Sequence, residues 1–222
     1  MQYSRAKTLT NDNIKTNDSI KTSEISSVLR DVRACTLCTD LALGPKPILQ
    51  LNPKAKILVA GQAPGRKTHH KGIPFDDPSG DRLRDWMGID REVFYNASKI
   101  AILPMAFCYP GTGKSGDLAP PIQCAEQWRA QLLSLLPNLE LTLVIGQYAL
   151  DWHLGDDQFH NKYSRNKKNR TLTETVKHWQ VYWPSVLPMP HPSPRNNRWL
   201  KNNPWFASDV LPKLKSQVAS LL

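Results

Sequence analysis

The segment Ala55-Lys-Ile-Leu-Val-Ala60 is a short apolar run that ends abruptly in Gly61-Gln-Ala-Pro-Gly65. A run of this length, stopped by glycine and proline, reads as a buried strand breaking into a loop. The pattern recurs in Ile100 to Met105, in Leu141-Thr-Leu-Val-Ile145 before Gly146, and in Ser185-Val-Leu-Pro-Met-Pro190 before His191-Pro-Ser-Pro194. Between these runs lie helical patterns: Gly80 to Met87 stopped by Gly88, Glu126 to Leu136 ended by Pro137, and Gln147 to about His153. A closing helix over 204–222 carries Leu211, Leu214, Val218 and Leu221. Strands alternating with helices predict an α/β fold, a three-layer α/β/α sandwich on a central, mostly parallel four-stranded sheet. Such sheets place their sites on the loops leaving the C-terminal strand ends, the position that GQAPG and HPSP both occupy.

Residues 1–24 are polar, without apolar periodicity, and read as a flexible arm before a domain over 25–222. Ser23 or Ser26 is placed to cap a helix through Arg33 that carries Ile25, Val28, Leu29 and Val32 inward. A chain of 222 residues suits one such domain with a sizeable core. No stretch of eighteen apolar residues and no charged-then-apolar leader occurs, so a monomer in the cytoplasm, away from membranes, is expected.

The charge is uneven as well as large. Twenty-nine Lys and Arg against nineteen Asp and Glu give a net +10. Between His160 and Asn203 stand nine basic residues and a single acidic one, Glu174, with Tyr163, Trp179, Tyr182, Trp183 and Trp199 among them. A like-charged stretch is usually a solvated face. Aromatic planes inside a basic groove are also what nucleic acid requires, since phosphates attract cations and unstacked bases attract flat apolar partners. DNA, single- or double-stranded, is therefore the expected partner, with Lys167, Lys168 and Arg170 carrying much of the contact.

Gly111-Thr-Gly-Lys-Ser115 imitates the end of a nucleotide-binding P-loop, but the pattern requires glycine at 108, where this chain has Cys108, and a helix after the serine. A solvent-exposed loop, touching at most a DNA phosphate, is the expectation. Cys35-Thr-Leu-Cys38 is a C-x2-C pair, and fifteen residues separate Cys108 from Cys124. Four thiolates so spaced suit one metal centre, with zinc the first guess on spacing, or are plain core residues.

Together these segments resemble the iron–sulfur family 4 uracil-DNA glycosylases, over roughly residues 28–220. GQAPG is similar to that family's first motif. Phe75, thirteen residues after Gln62 and ahead of Gly80 and Leu83, sits in a matching G-x-P-F…G…L pattern, and HPSP looks like the second catalytic motif. The resemblance implies that Cys35, Cys38, Cys108 and Cys124 hold a [4Fe–4S] cluster. It implies that Phe75 stacks on a base flipped out of the duplex, and that His191 donates a hydrogen bond to the base oxygen where negative charge grows. Backbone groups of Gly61 and Ala63 would share that anion. Ser193 would hold a phosphate, and Arg195 would be the wedge in the loop running to Arg198.

Two departures from the family matter chemically. Where the family has a carboxylate after the first motif glycine, this chain has Gln62; where it has an asparagine reading the uracil edge, this chain has Pro104, which offers no side-chain hydrogen bond. Asp76 and Asp77, directly after Phe75, are the candidate replacements for the carboxylate. The reading is a DNA glycosylase of base-excision repair acting on a deaminated, uracil-like base. The rivals are a non-catalytic module that captures modified bases and a zinc-containing nucleic-acid-binding protein.

Overall fold

The computed structural model describes residues 24–114, 116–154 and 171–222. The chain divides into two compact units, residues 1–35 and 36–222. In the first, a helix α1 over residues 24–33 carries Ile25, Val28, Leu29 and Val32 at the spacing of one helical face.

The second unit contains six strands among the described residues: β1 (Ile57–Ala60), β2 (Ile100–Ile102), β3 (Thr112–Gly113), β4 (Gly116–Asp117), β5 (Leu141–Ile145) and β6 (Val186–Met189). Its helices are α2 (Arg66–Lys71), α3 (Pro78–Met87), α4 (Arg91–Tyr95), α5 (Ile122–Ser134), α6 (Gln147–His153), α7 (Leu172–Lys177), α8 (Asn197–Asn202) and α9 (Leu211–Leu221). Four strands form one fully parallel sheet in the order β2-β1-β5-β6. Successive strand residues face opposite sides. Ile57, Val59, Leu143, Ile145, Leu187 and Met189 meet Leu83 and Trp86 of α3 and Leu214 and Val218 of α9. Val144 and Val186 meet Ala125 of α5 and Ala149 and Leu150 of α6. Helices thus cover both faces, which is why the strands read as unbroken apolar runs.

All four strand runs fall where the sequence puts them, but β2 ends at Ile102 rather than Met105. The residues beyond it serve the first motif instead: the Met105 and Ala106 amides donate to the carbonyls of Gly61 and Gln62 at 2.9 and 3.0 Å. The expected exposed loop at 111–115 is a hairpin. β3 and β4 pair antiparallel, Thr112 opposite Asp117 and Gly113 opposite Gly116. Leu118 folds back beside Gly111 and Gly113, and the Arg195 side chain lies against Gly116.

A second correction concerns the aromatic residues of the basic stretch. Trp179 and Tyr182 are buried, and Trp183 and Trp199 pack against the core. Trp199 also donates its indole N–H to Thr173 Oγ1 at 2.8 Å. Trp179 and Tyr182 are therefore not available as stacking platforms for bases, and Trp183 and Trp199 give part of their faces to apolar packing. Tyr163, Lys167, Lys168 and Arg170 lie outside the described residues.

Both sheet edges are interrupted. Gln50 bridges antiparallel to Ile102 beside β2, exchanging hydrogen bonds of 3.0 and 2.7 Å. On the other edge β6 carries Pro188.

Candidate functional site

A cleft of about 630 Å³ opens at the C-terminal ends of the parallel strands. The chain reverses its strand order there: β2 lies on one side of β1, and β5 on the other. The loops leaving β1 and β5 diverge at such a point and leave a crevice. The loop after β1 supplies Gly61, Gln62 and Ala63. The segment after β2 supplies Pro104, the turn before α3 supplies Phe75 and Asp77, and the loop after β6 supplies His191, Ser193 and Arg195.

The His191 ring is fixed by its neighbours. The Ser193 backbone N–H donates to Nδ1 at 3.2 Å, and the His191 carbonyl accepts from Asn196 Nδ2 at 2.7 Å. A ring accepting at Nδ1 is neutral and carries its proton on Nε2. Burial lowers the His191 pKa from its ordinary value, and the Asp77 and Asp117 carboxylates pull it partly back up. From α3, Arg82 Nη1 donates to the Ser193 carbonyl at 3.2 Å and braces the loop. Ser193 Oγ itself accepts from the Arg195 amide at 3.2 Å, capping the short turn Pro194–Asn196.

Phe75 has φ = 54°, the one positive value at a non-glycine residue among the described residues. A side chain in this region costs about 1–3 kcal/mol and persists only where its surroundings over-determine it. Here they do. A Cβ at Gly80 would overlap the Phe75 carbonyl, so glycine alone lets α3 pass this close. Arg84, buried in α3, donates to that carbonyl at 3.3 Å and to the Tyr95 hydroxyl at 3.4 Å. The Tyr95 hydroxyl in turn donates to the Pro74 carbonyl at 3.0 Å. The Phe75 ring stands edge-on to Phe94, and its Cζ is 3.3 Å from where a Cβ of Gly61 would sit.

The two candidate aspartates part company. Asp77 lines the cleft, but its Oδ1 caps α3, accepting from the Gly80 amide at 2.9 Å. Asp76 does not line the cleft. Its carboxylate pairs with Arg91 at 2.6 Å and Lys71 at 3.0 Å, and the hydrogen bonds from Arg91 and then Lys71 hold its pKa below the usual range. Arg198, on α8, is exposed and likewise does not line the cleft.

Gln62 packs against Gly146, whose φ of 83° and bare Cα make room for it: a Cβ there would be 2.9 Å from Gln62 Nε2. Beneath Pro104 lies Arg129, 1% exposed, which donates from Nη1 to the carbonyls of Leu103 and Pro104 at 3.0 and 3.1 Å. Its Nη2 lies 2.5 Å from His153 Nε2. Burial pushes Arg129 down to about 10, still charged at neutral pH, while burial and then Arg129 push His153 down to about 3.

The family model for the uracil DNA glycosylase superfamily matches residues 49–215, three quarters of the chain. The chain belongs to the uracil DNA glycosylase superfamily. Among solved structures it is similar to the solution structure of a Methanosarcina acetivorans protein described as a candidate uracil DNA glycosylase. That match has 16% identity and a TM-score of 0.42, and covers 75% of this chain and 93% of the other. The superfamily assignment rests on the family model alone.

Several lining residues of this superfamily member escaped the sequence reading: Arg66 and Lys67 at the start of α2, Tyr148 at the start of α6, and Asp117 of β4. Arg66 and Lys67 follow directly on GQAPG, so their place beside the first motif was a usable signal.

Cys38, Cys108 and Cys124 belong to the second unit, and Cys35 ends the first. The Phe107 amide donates to Cys124 Sγ at 3.5 Å, and Gln123 Nε2 donates to Cys38 Sγ at 3.7 Å. The Cys124 sulfur is thus addressed from the segment after β2, and the Cys38 sulfur from the first turn of α5. No disulfide joins the four cysteines. Among the described residues, no three His, Cys, Asp or Glu side chains stand close enough together to hold a metal ion as placed. No helix is long and apolar enough to cross a membrane among those residues.

Proposed function

We propose that this chain is a DNA glycosylase that draws one damaged base into the cleft and hydrolyses its N-glycosidic bond, leaving an abasic site. The observation that carries the reading is the hydrogen bond that His191 Nδ1 accepts. With Nδ1 accepting from Ser193, the ring presents Nε2–H as a fixed donor in the same cleft as Phe75 and the first-motif loop. A donor held in advance at the place where a leaving base gathers negative charge stabilises the transition state more than the ground state.

The other lining residues divide the work. Phe75 offers its ring to the flipped base, worth about 1–3 kcal/mol for stacking. Gly61 and Ala63 present backbone to the base, Arg66, Lys67 and Ser193 contact phosphates, and Arg195 takes the space the base leaves. A deaminated or alkylated base other than uracil suits a pocket whose floor is Pro104. A site built on specific hydrogen bonds discriminates strongly, and Pro104 removes the side chain that would make them.

The cysteines are proposed to hold a [4Fe–4S] cluster, in which Cys38, Cys108 and Cys124 are joined by Cys35, three residues before Cys38 in the chain. Thiolates accepting amide N–H groups suit such a centre. The cluster would supply structural cross-linking, and no step of the reaction passes through it. Anaerobic purification should give brown protein containing iron and sulfide, whereas colourless protein with one zinc per chain would replace the cluster by zinc.

The second reading, a module that captures a modified base without cutting, draws support from Gln62, whose neutral amide cannot stabilise a sugar cation. Single-turnover incubation with a panel of lesion-bearing oligonucleotides, single- and double-stranded, followed by alkaline cleavage at abasic sites, decides between them. Strand breaks at one or more lesions support the glycosylase, and tight binding with no breaks supports the capture module.

A further inference from the structure

We propose that Asp117 is the carboxylate that accepts the proton of the attacking water and faces the sugar cation, in the role that Gln62 cannot fill. This rests on the glycosylase reading above. Asp117 lies on β4, in the hairpin that takes the place of the surface loop expected over 111–115.

Three observations converge on it. Asp117 lines the cleft together with His191 and Phe75. Its Oδ2 lies 3.5 Å from the position a Cβ would take at Gly65, so the carboxylate rests beside the first-motif loop. Its charge also reaches the His191 ring, on which it acts together with Asp77.

The other candidates are engaged elsewhere, lie outside the cleft or carry no charge. Asp77 spends an oxygen on the α3 cap, Asp76 is clamped by Arg91 and Lys71 outside the lining, and Gln62 is neutral. No hydrogen bond or ion pair engages the Asp117 carboxylate among the described residues, so its oxygens are open to a water. The hairpin holds its backbone in place: Asp117 pairs with Thr112, and the Leu118 amide donates to the Gly111 carbonyl at 2.9 Å.

The step balances simply. The C1′–N bond breaks with both electrons leaving on the base, whose oxygen is held by His191 Nε2–H, and the sugar carries a positive charge shared with the Asp117 carboxylate. Water oxygen then bonds to C1′, one of its protons passes to Asp117, and that proton is returned to the released base anion through solvent.

The test uses the full-length protein and its Asp117→Asn variant. Single-turnover excision on the lesion panel should fall about a hundredfold or more in Asp117→Asn. Affinity for a duplex carrying a tetrahydrofuran abasic-site analogue should stay level or tighten, since a negative charge near the phosphates is gone. In an NMR titration of the same variant the His191 pKa should drop below its wild-type value. Excision by Asp117→Asn at the wild-type rate, or an unmoved His191, overturns the assignment of Asp117 and leaves the glycosylase reading standing. Wild-type protein that binds the lesions but cuts none overturns both. A variant that loses analogue binding along with excision marks Asp117 as a binding or folding residue and also overturns it.

Discussion

The backbone N–H of Ser193 donates to Nδ1 of His191 at 3.2 Å, and this one bond decides which face of the imidazole is chemically useful. It leaves the proton on Nε2 without requiring the ring to be charged. Protonating Nδ1 would set two donors against each other, which is the same direction in which burial lowers the ring's pKa. The excision rate should therefore stay level as pH falls from 7 through 6.5, and decline only below the depressed His191 pKa. A rate that rises on acidification through 6.5 would identify the imidazolium as the active form.

His191→Ala removes the donor altogether. Loss of about 2.7 kcal/mol of transition-state stabilisation corresponds to a hundredfold in rate. The expected outcome is that loss in single-turnover excision with little change in affinity for an abasic-site analogue. Equal losses in both would make the residue a binding or structural group.

Gly80→Ala tests the strained turn. The added methyl overlaps the Phe75 carbonyl, so either α3 shifts or Phe75 leaves its positive φ. Overpacking of this kind costs about 1–3 kcal/mol. Urea unfolding should show that loss, and excision should fall further than stability alone explains because the stacking ring moves. Gly88→Ala is a useful comparison: it also has positive φ, at 69°, but lies at the far end of α3 away from the cleft, and should cost stability only.

The pairing of buried Arg129 with half-buried His153 makes stability pH-dependent. His153 is held at about 3 in the folded chain against an ordinary 6.5, so the unfolded chain takes up a proton that the folded chain refuses. The stability this contributes is present above 6.5 and is lost as pH falls toward 3, at up to about 1.4 kcal/mol per pH unit. Between pH 7 and pH 5 the wild type should lose about 2 kcal/mol more than a His153→Gln variant by urea titration. Identical pH slopes in the two proteins would show that His153 is not buried as neutral imidazole.

DNA affinity should decline steeply with salt, because each phosphate-bound cation releases counterions. Replacing Arg66 and Lys67 by glutamine should reduce the slope of log K against log salt by about 2, at roughly 0.9 per contact. The triple change Lys167→Gln, Lys168→Gln and Arg170→Gln should reduce it by about 3 on the same basis. Whichever set leaves the slope intact when substituted lies off the DNA path.

The sheet was legible because buried parallel strands are apolar on both faces and end in glycine or proline, as Ile57–Ala60 and Leu141–Ile145 do. The two site loops were legible for the same reason, as the punctuation at those strand ends. Asp117 was not, because a two-residue strand has no measurable period and its partner His191 is far away in sequence. The aromatic residues of the basic stretch misled for a related reason. Trp179 and Trp199 stand among charges in the chain. Yet Trp179, on the 3-10 turn after α7, and Trp199, on α8, turn their indoles toward the core while Lys177, Arg198 and Lys201 face outward. Composition cannot distinguish a wet groove from an amphipathic wall. Asp76 and Asp77 look equivalent in sequence. Only the α3 cap and the two cations on Asp76 separate them.

The interruptions at the two sheet edges bear on how this protein behaves when concentrated along a polyanion. Parallel strands with open edges invite further strands, from another copy or from a partly unfolded neighbour, through an unmet ladder of donors and acceptors. Gln50 already occupies that ladder beside β2, and Pro188 deletes a donor from β6 without disturbing the bonds that Ser185 and Met189 make to β5. Copies brought side by side, as on DNA under the proposed function, thus meet no open seam at either edge of the described four-stranded sheet along which one sheet could be stitched to the next.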